Sequence, residues 1–295
     1  MTISVIIPTY NHAHFLPECL KAVFAQELLP LEVLVVDDAS SDNTAEVIAS
    51  FQRQHPQLIY LKNPENLGPA RSINRALFLA QGEYIVGSAA DDFVLLGFFQ
   101  KGVEFLNKHP TLALCCGDTS HFHDEKPYRF QFMKTLDQDQ TTVFDPQAVQ
   151  QLFRTKRFSL QSHACMYRKT CMLEVGGFIQ DLQSLCDWYL NVCLALKWGF
   201  GYIPHPCAAY RLSAGSYANA VSRDSAGRKK VLDCLFALLE KSEMKQVFRD
   251  CFLFSHLNYR YFFDFLKRTD SWGMTSPSFP IKLRNLISTR LSFPN

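Results

Sequence analysis

The sequence predicts an α/β fold, a central and mostly parallel sheet flanked by helices, followed by a helical C-terminal tail. Two short runs rich in β-branched residues, ISVIIPTYN and LEVLVVDDASSD, read as strands buried on both faces. Between and after them stand stretches with apolar residues at helical spacing, and strand alternating with helix is the pattern of a doubly wound parallel sheet. The chain has 295 residues, 47% hydrophobic and 20% charged, which is ordinary globular composition with length for one large core plus an appendage.

The first strand runs from Ile3 and closes on Pro8, Tyr10 and Asn11. A helix is expected from about Leu16 to Ala25, where Leu16, Leu20, Val23 and Phe24 fall near one face. The second strand stops abruptly at Asp37 and Asp38. Asn43 to His55 reads as a helix, LIYLKNP as a third strand and Gly68 to Ala80 as a third helix. GEYIVGSAADDF reads as a fourth strand ending in a second acidic pair, Asp91 and Asp92. LLGFFQKGVEFLNKHP follows as a helix closed by His109 and Pro110, and TLALCCGD as a fifth strand. Residues 119–160 are polar and aromatic without a clear period and are assigned a long excursion. Order returns at SHACMYRKTCMLEVGGF, and CDWYLNVCLALKWGFGYIP reads as a helix leading into a strand. The division falls at residue 222: a nucleotide-binding type of α/β domain over 1–222, and a helical, aromatic and basic extension over 223–295. No internal repeat or low-complexity segment is visible.

The net charge of +2 gives no argument for nucleic acid as a partner. Residues 227–295 nevertheless hold 12 Lys/Arg against 6 Asp/Glu, so the basic balance belongs to the tail. Several of the ten cysteines lie inside apolar runs, no CxxC pair occurs, and the N-terminal run is too short for a secretory signal. Reduced thiols in a cytoplasmic protein are therefore expected, without a structural zinc site. No stretch of about 18 apolar residues is present to span a bilayer.

Polar residues at the carboxyl ends of such strands converge on one sheet edge, where open α/β sheets bind ligands. Tyr10, Asp37 and Asp38 stand there. Asp37 and Asp38 suit an N–H of a base or a ribose hydroxyl. Asp91 and Asp92 suit Mg²⁺ or Mn²⁺, held through one or two carboxylates with positions left for phosphate oxygens and water. Either pair alone has an ordinary reading as a helix cap, and Asp38 with Ser40 and Asp42 fits that role; two pairs on one sheet favour a ligand. No GxGxxG and no Gly-rich phosphate loop follows the first strand, which argues against a dehydrogenase and a nucleotidyltransferase. His121, His123, His163 and His205 match no metal-ligand spacing and read as structural or exposed.

In order and at the expected spacing, VIIPTYN, LEVLVVDDASSDNT, NLGPARSINRAL and GEYIVGSAADD, then GGF with CDWYL, then YRLSAGS, resemble the motifs of the inverting family 2 glycosyltransferases, which have the GT-A nucleotide-diphospho-sugar transferase fold. The resemblance covers about residues 1–217. It implies transfer of a sugar from a nucleotide diphosphate donor, a UDP-sugar being favoured, to a hydroxyl of a glycan, lipid-linked or other acceptor, with inversion and with Mg²⁺ or Mn²⁺ as cofactor. It implies that Pro8, Tyr10, Asp38 and Arg71 contact the nucleoside, Asp91 the ribose or metal, and Asp92 the metal. Asp187 would be the base that takes the acceptor proton, from an exposed position near a helix start, although an Asp there is also favoured by the helix dipole alone. Arg211 would clamp the diphosphate by a charge-assisted pair, or else form a surface salt bridge.

Three features depart from the family's pattern. Ala89 stands where the metal motif commonly has an acidic residue, Cys186 where one usually precedes the base, and Leu212 and Ser213 where a His often follows the Tyr–Arg pair. They keep open a second class of function, a non-catalytic sugar-nucleotide-binding protein. In the tail, Phe248, Phe252, Tyr259, Phe262, Phe263 and Phe265 interleave with basic residues. Packing against the first domain or a second subunit is the favoured reading, and peripheral contact with the inner face of a membrane is the alternative.

Overall fold

The computed structural model describes residues 1–155, 158–212, 223–251 and 259–266. Its strands are β1 (Ile3–Thr9), β2 (Glu32–Asp37), β3 (Leu58–Lys62), β4 (Tyr84–Gly87), β5 (Phe93–Val94), β6 (Leu114–Phe122), β7 (Gln131–Met133), β8 (Thr142–Phe144), β9 (Cys165–Arg168) and β10 (Phe200–Arg211). The helices are α1 (Leu16–Phe24), α2 (Thr44–Gln52), α3 (Pro69–Leu79), α4 (Phe98–Lys108), α5 (Pro146–Thr155), α6 (Lys169–Glu174) and α7 (Cys186–Trp198), then α8 (Ser225–Glu240), α9 (Met244–Asp250) and α10 (Tyr259–Leu266). Short 3₁₀ turns cover Ser162–Ala164 and Gln180–Leu185.

The strands form one sheet in the order β3-β2-β1-β4-β9-β6-β10-β5, with β7 on β6 and β8 on β10. The half β3-β2-β1-β4 is parallel throughout. β9 then enters antiparallel between β4 and β6, while β6 and β10 run parallel to each other. Every residue of β2 is buried, as expected of a strand covered by helices on both sides. Two apolar layers result. Ile3, Val5 and Ile7 face Leu16, Leu20 and Val23 of α1, whereas Ile6, Leu34 and Ile85 face Ala70, Ala76 and Leu77 of α3.

The excursion expected over residues 119–160 is corrected. β6 continues to Phe122, and β7, β8 and α5 follow. Strands of three residues pairing at the sheet margin are too short to show a period, which is why they escape sequence reading. The fourth strand also ends sooner than expected, at Gly87, and the acidic pair lies in the loop to β5.

Val231, Leu232, Leu235 and Leu239 of α8, Phe248 of α9, and Tyr261 and Phe265 of α10 are buried in the same cluster as α7 and β6. Of the tail aromatics, Phe248 and Phe265 are thus packed inside; the side chains of Phe252, Tyr259, Phe262 and Phe263 lie outside the described residues. Among the described residues no helix is long and apolar enough to cross a membrane. All ten cysteines are free thiols.

Candidate functional site

The register of the parallel half brings its carboxyl ends together. Thr9 pairs with Asp37 and Asp37 with Lys62, while Ile6 pairs with Gly87. Pro8 and Tyr10, the turn after β2 and the loop after β4 therefore share one edge, as the sequence pattern requires. Tyr10 is exposed at this edge.

The first acidic pair is turned inward. Asp37 accepts the Ser40 N–H at 2.8 Å and the Tyr60 hydroxyl at 2.6 Å. Asp38 accepts Asn63 Nδ2 and the N–H of Leu67 on Oδ1, and the N–H of Gly68 on Oδ2, each at 2.8 Å. Both side chains are buried. Of the four acceptor sites a carboxylate offers, Asp38 has one left on Oδ2, so at most one further donor can reach that oxygen. Its work inside the chain is to hold the Leu67–Gly68 turn, where Gly68 takes φ 84° and opens α3. Arg71 sits in the first turn of that helix, exposed, with Nε donating to Gln180 Oε1.

The second acidic pair is arranged differently. Asp92 is buried and accepts the Arg211 N–H on Oδ1 at 2.8 Å, which leaves Oδ2 open. Burial, with the charge of Asp91, pushes its pKa well above the usual carboxylate range, against the pull of Arg211. Asp91 is half-buried, and among the described residues its carboxylate accepts no hydrogen bond. Two adjacent carboxylates with free oxygens fit Mg²⁺ or Mn²⁺ completed by water and phosphate. Among the described residues no group of three or more His, Cys, Asp or Glu side chains forms a metal cage, and the histidines do not cluster into one.

Arg211 forms ion pairs, as in the second of its two readings, but buried rather than at the surface. The side chain is fully buried, and its donors go to Glu18 Oε2 at 3.1 Å, to Asp124, and to the Asp91 carbonyl at 2.9 Å. With the Tyr128 hydroxyl 3.4 Å from Nη1, one of the five guanidinium N–H groups, on Nη2, is left without a partner among the described residues. Of the closing segment YRLSAGS, Ser213 to Ser216 lie outside the described residues.

Asp187 opens α7 as the sequence suggests, but it is half-buried rather than exposed. Oδ1 accepts the Trp188 N–H at 2.8 Å, and Oδ2 lies 3.5 Å from the Ser162 hydroxyl. Burial pushes its pKa above the usual range, while the Trp188 N–H and Ser162 hydroxyl oppose the rise. Behind it runs a polar chain that sequence reading missed. The Tyr167 hydroxyl donates to Asn191 Oδ1 at 2.8 Å, which orients the amide so that Nδ2 donates to Ser162 Oγ at 2.9 Å and to the Leu160 carbonyl at 2.8 Å. Ser162 Oγ is thereby an acceptor from Asn191, and its proton is free to point at Asp187. The sequence signal was a buried-type Asn within the apolar run NVCLAL.

A cavity of about 270 Å³ brings Pro8, Asp92 and Asp187 together, whereas Tyr10, Asp37, Asp38, Arg71, Asp91 and Arg211 do not line it. Asp92, Ser88 and Pro8 of the sheet edge line it together with Asp187, Ser162 and His163, and Ile6, Ile73, Ile85, Met172 and Phe178 add apolar lining. Residues 92 and 187 are brought together only by the fold. The link is a pair of motifs far apart in sequence: Asn74 of α3 accepts the Phe178 N–H at 2.9 Å and donates to its carbonyl at 2.7 Å. Gly177, at φ 70°, leaves no room for a Cβ, which would stand 2.6 Å from Asn74 Oδ1. Ala89 and Cys186, the two positions lacking the family's acids, line this same cavity. His163 adds a buried Nε2 without a partner among the described residues, its pKa pushed down to about 4 by burial and by His121.

A model of glycosyl transferase family 2 matches residues 4–173. The uncharacterized protein MT1568 of Mycobacterium tuberculosis is 29% identical over 241 residues, 78% of this chain and 72% of its own. The glycosyltransferase GlyG of Streptococcus pneumoniae is 35% identical over 92 residues, 31% of each chain. Among solved structures, S. aureus TarS 1-349 in complex with UDP-GlcNAc aligns with a TM-score of 0.60 at 18% identity, covering 88% of this chain and 83% of that one. The mannosyltransferase PcManGT from Pyrobaculum calidifontis, in complex with GDP-Man and Mn²⁺, aligns with a TM-score of 0.59 at 20% identity, covering 99% and 80%. The likeness shows that the fold is of the GT-A type.

Proposed function

The chain belongs to glycosyl transferase family 2 and is a glycosyltransferase, and on that premise we propose that it moves a sugar from a nucleotide diphosphate, a UDP-sugar first, to an acceptor hydroxyl with inversion. The observation that carries the reading is the single cavity lined by both Asp92 and Asp187. Pro8, Tyr10, Arg71 and the remaining acceptor site of Asp38 form the nucleoside side of the sheet edge. Asp91 and Asp92 are the residues to hold Mg²⁺ or Mn²⁺, which when bound would neutralise charge on the departing diphosphate. That TarS was solved with UDP-GlcNAc and PcManGT with GDP-Man and Mn²⁺ supports this choice of ligands.

Asp187 serves as the general base. Its raised pKa strengthens it as a proton acceptor, and the Trp188 N–H fixes the carboxylate so that Oδ2 faces the acceptor. The oxygen of the acceptor hydroxyl forms the new bond to the anomeric carbon as its proton passes to Asp187 and the bond to the diphosphate oxygen breaks. One displacement from the opposite face inverts the centre. The apolar lining of Ile73, Met172 and Phe178 limits competing water.

A second reading rests on Ala89 and Cys186 lining the cavity where the family commonly has acids. It gives nucleotide binding without transfer. A thermal-shift panel of UDP, GDP and dTDP with and without Mn²⁺ tests donor recognition, because a ligand that binds the folded state raises Tm by mass action. Stabilisation by one nucleotide, enhanced by Mn²⁺, is expected; no shift with any of them would remove the proposal.

A further inference from the structure

We propose that Arg211 is a positioning residue that locks the Asp91–Asp92 loop into the shape that holds a divalent cation. The inference rests on the reading of that pair as the cation-holding one.

Arg211 ends β10, beside Phe122 of β6, and grips both members of the pair in different ways. Its backbone N–H donates to Asp92 Oδ1 at 2.8 Å, and its Nε donates to the Asp91 carbonyl at 2.9 Å. The first contact orients the Asp92 carboxylate so that Oδ2 is the oxygen left open. The second fixes the Asp91 backbone, and with it the direction from which the Asp91 side chain leaves.

The rest of the guanidinium is anchored away from the cavity. Nη2 donates to Glu18 of α1, Nη1 donates to Asp124, and the Tyr128 hydroxyl lies 3.4 Å from Nη1. Three rings enclose the plane of the fork, Phe15 at 4.4 Å, Phe122 at 4.6 Å and Tyr128 at 5.3 Å from ring centroid to the guanidinium carbon. Three separate segments, around residues 15–18, 122–128 and 91–92, are thus tied to one planar group. Glu18 and Asp124 balance its charge locally, so beside an electrostatic pull on Asp92 what it chiefly supplies to the acidic pair is geometry.

Mg²⁺ and Mn²⁺ need carboxylate oxygens at set positions, so a loop held from two sides binds them better than a loose one. Lysine keeps the charge but not the rigid fork, and cannot reach the Asp91 carbonyl and Glu18 together while filling the aromatic slot. Arg211→Lys therefore separates geometry from charge.

The test is Mn²⁺ binding to the full chain, followed by electron paramagnetic resonance in the presence of UDP, together with UDP binding in EDTA by calorimetry. Arg211→Lys is expected to weaken Mn²⁺ by about tenfold or more, the scale seen when groups behind a metal ligand are lost, and to leave UDP binding in EDTA unchanged within about twofold. The double variant Glu18→Gln/Asp124→Asn keeps both grips and loosens only the outer anchor, so a loss of roughly threefold is expected. Should Arg211→Lys fail to fold, the double variant decides by itself.

Unchanged Mn²⁺ affinity in the folded variants would overturn the proposal. A tenfold loss of UDP in EDTA with Arg211→Lys would also overturn it, by making Arg211 a nucleotide contact. Wild-type protein that binds no Mn²⁺ would remove the cation reading and this proposal together, whereas Mn²⁺ binding that survives Arg211→Lys removes this proposal alone.

Discussion

Asp37–Asp38 and Asp91–Asp92 follow the two strands that flank β1, and in sequence they look alike: two acids after a buried apolar run. Their surroundings are opposite. Asp37 and Asp38 together receive five hydrogen bonds from Ser40, Tyr60, Asn63, Leu67 and Gly68. Among the described residues Asp91 and Asp92 together receive one on their carboxylates, from the Arg211 N–H. A carboxylate held by several internal donors serves first as scaffold, whereas one left open beside a like charge is poised for a cation, at a cost in stability. What separates the two is the supply of donors, not the presence of the acids.

Substitution tests that contrast most sharply in activity and stability. Asp92→Asn is expected to lower transfer by about 100-fold or more through loss of the cation, with no loss of Tm, since Asn still offers an oxygen to the Arg211 N–H. A variant with wild-type transfer would place Asp92 among the scaffold acids. Asp38→Asn reverses the pattern. One oxygen becomes an NH₂ facing the N–H groups of the Leu67–Gly68 turn, and a destabilisation of about 1–3 kcal/mol is expected in chemical denaturation. If Asp38→Asn unfolded no more readily than wild type, the inward pair would not be the scaffold its hydrogen bonds describe.

The pH dependence follows with a definite sign. The Asp92 pKa is raised in the folded chain above the ordinary value of 3.8, so its charge burdens the fold at neutral pH. As pH falls through the raised pKa the folded state takes up the proton first, and the burden is relieved. Asp92→Asn should therefore melt higher than wild type near pH 7.5, with the difference shrinking on acidification. A gap that stays constant over that range would mean Asp92 is not the group under strain. The smallest effect is expected behind Asp187. Asn191→Asp exchanges the Nδ2 donor for an acceptor, frees Ser162 to turn, and should reduce kcat several-fold with KM for the donor unchanged; a change confined to KM would speak against a role for this chain in holding the base.

The parallel half was legible because strands buried on both faces are continuous apolar runs, and the acids at their ends stand out. What those acids do was not legible. The donors that fill Asp38 come from Leu67 and Gly68, 29 and 30 residues away, and belong to a turn whose geometry the sequence does not display. The burial of Arg211 was not legible for the same reason: its partner Glu18 lies 193 residues earlier, and nothing local marks the residue as buried. Asp187 was reached only through the family's motif, since its neighbour Ser162 comes from a three-residue turn and Asn191 from the middle of α7. β7 and β8 were missed because three residues carry no period. The tail could be read as helical, yet its place in the core with α7 follows from Phe248, Tyr261 and Phe265 only once their burial is known.

The central claim is that Asp92 and Asp187 serve one reaction in a shared cavity. Single-turnover transfer by Asp187→Asn, measured beside donor affinity in the same preparation, tests it most directly. Donor binding within about twofold of wild type and transfer reduced by roughly 10²–10⁴-fold is the predicted result. Transfer near the wild-type rate would contradict the account and take the base away from Asp187.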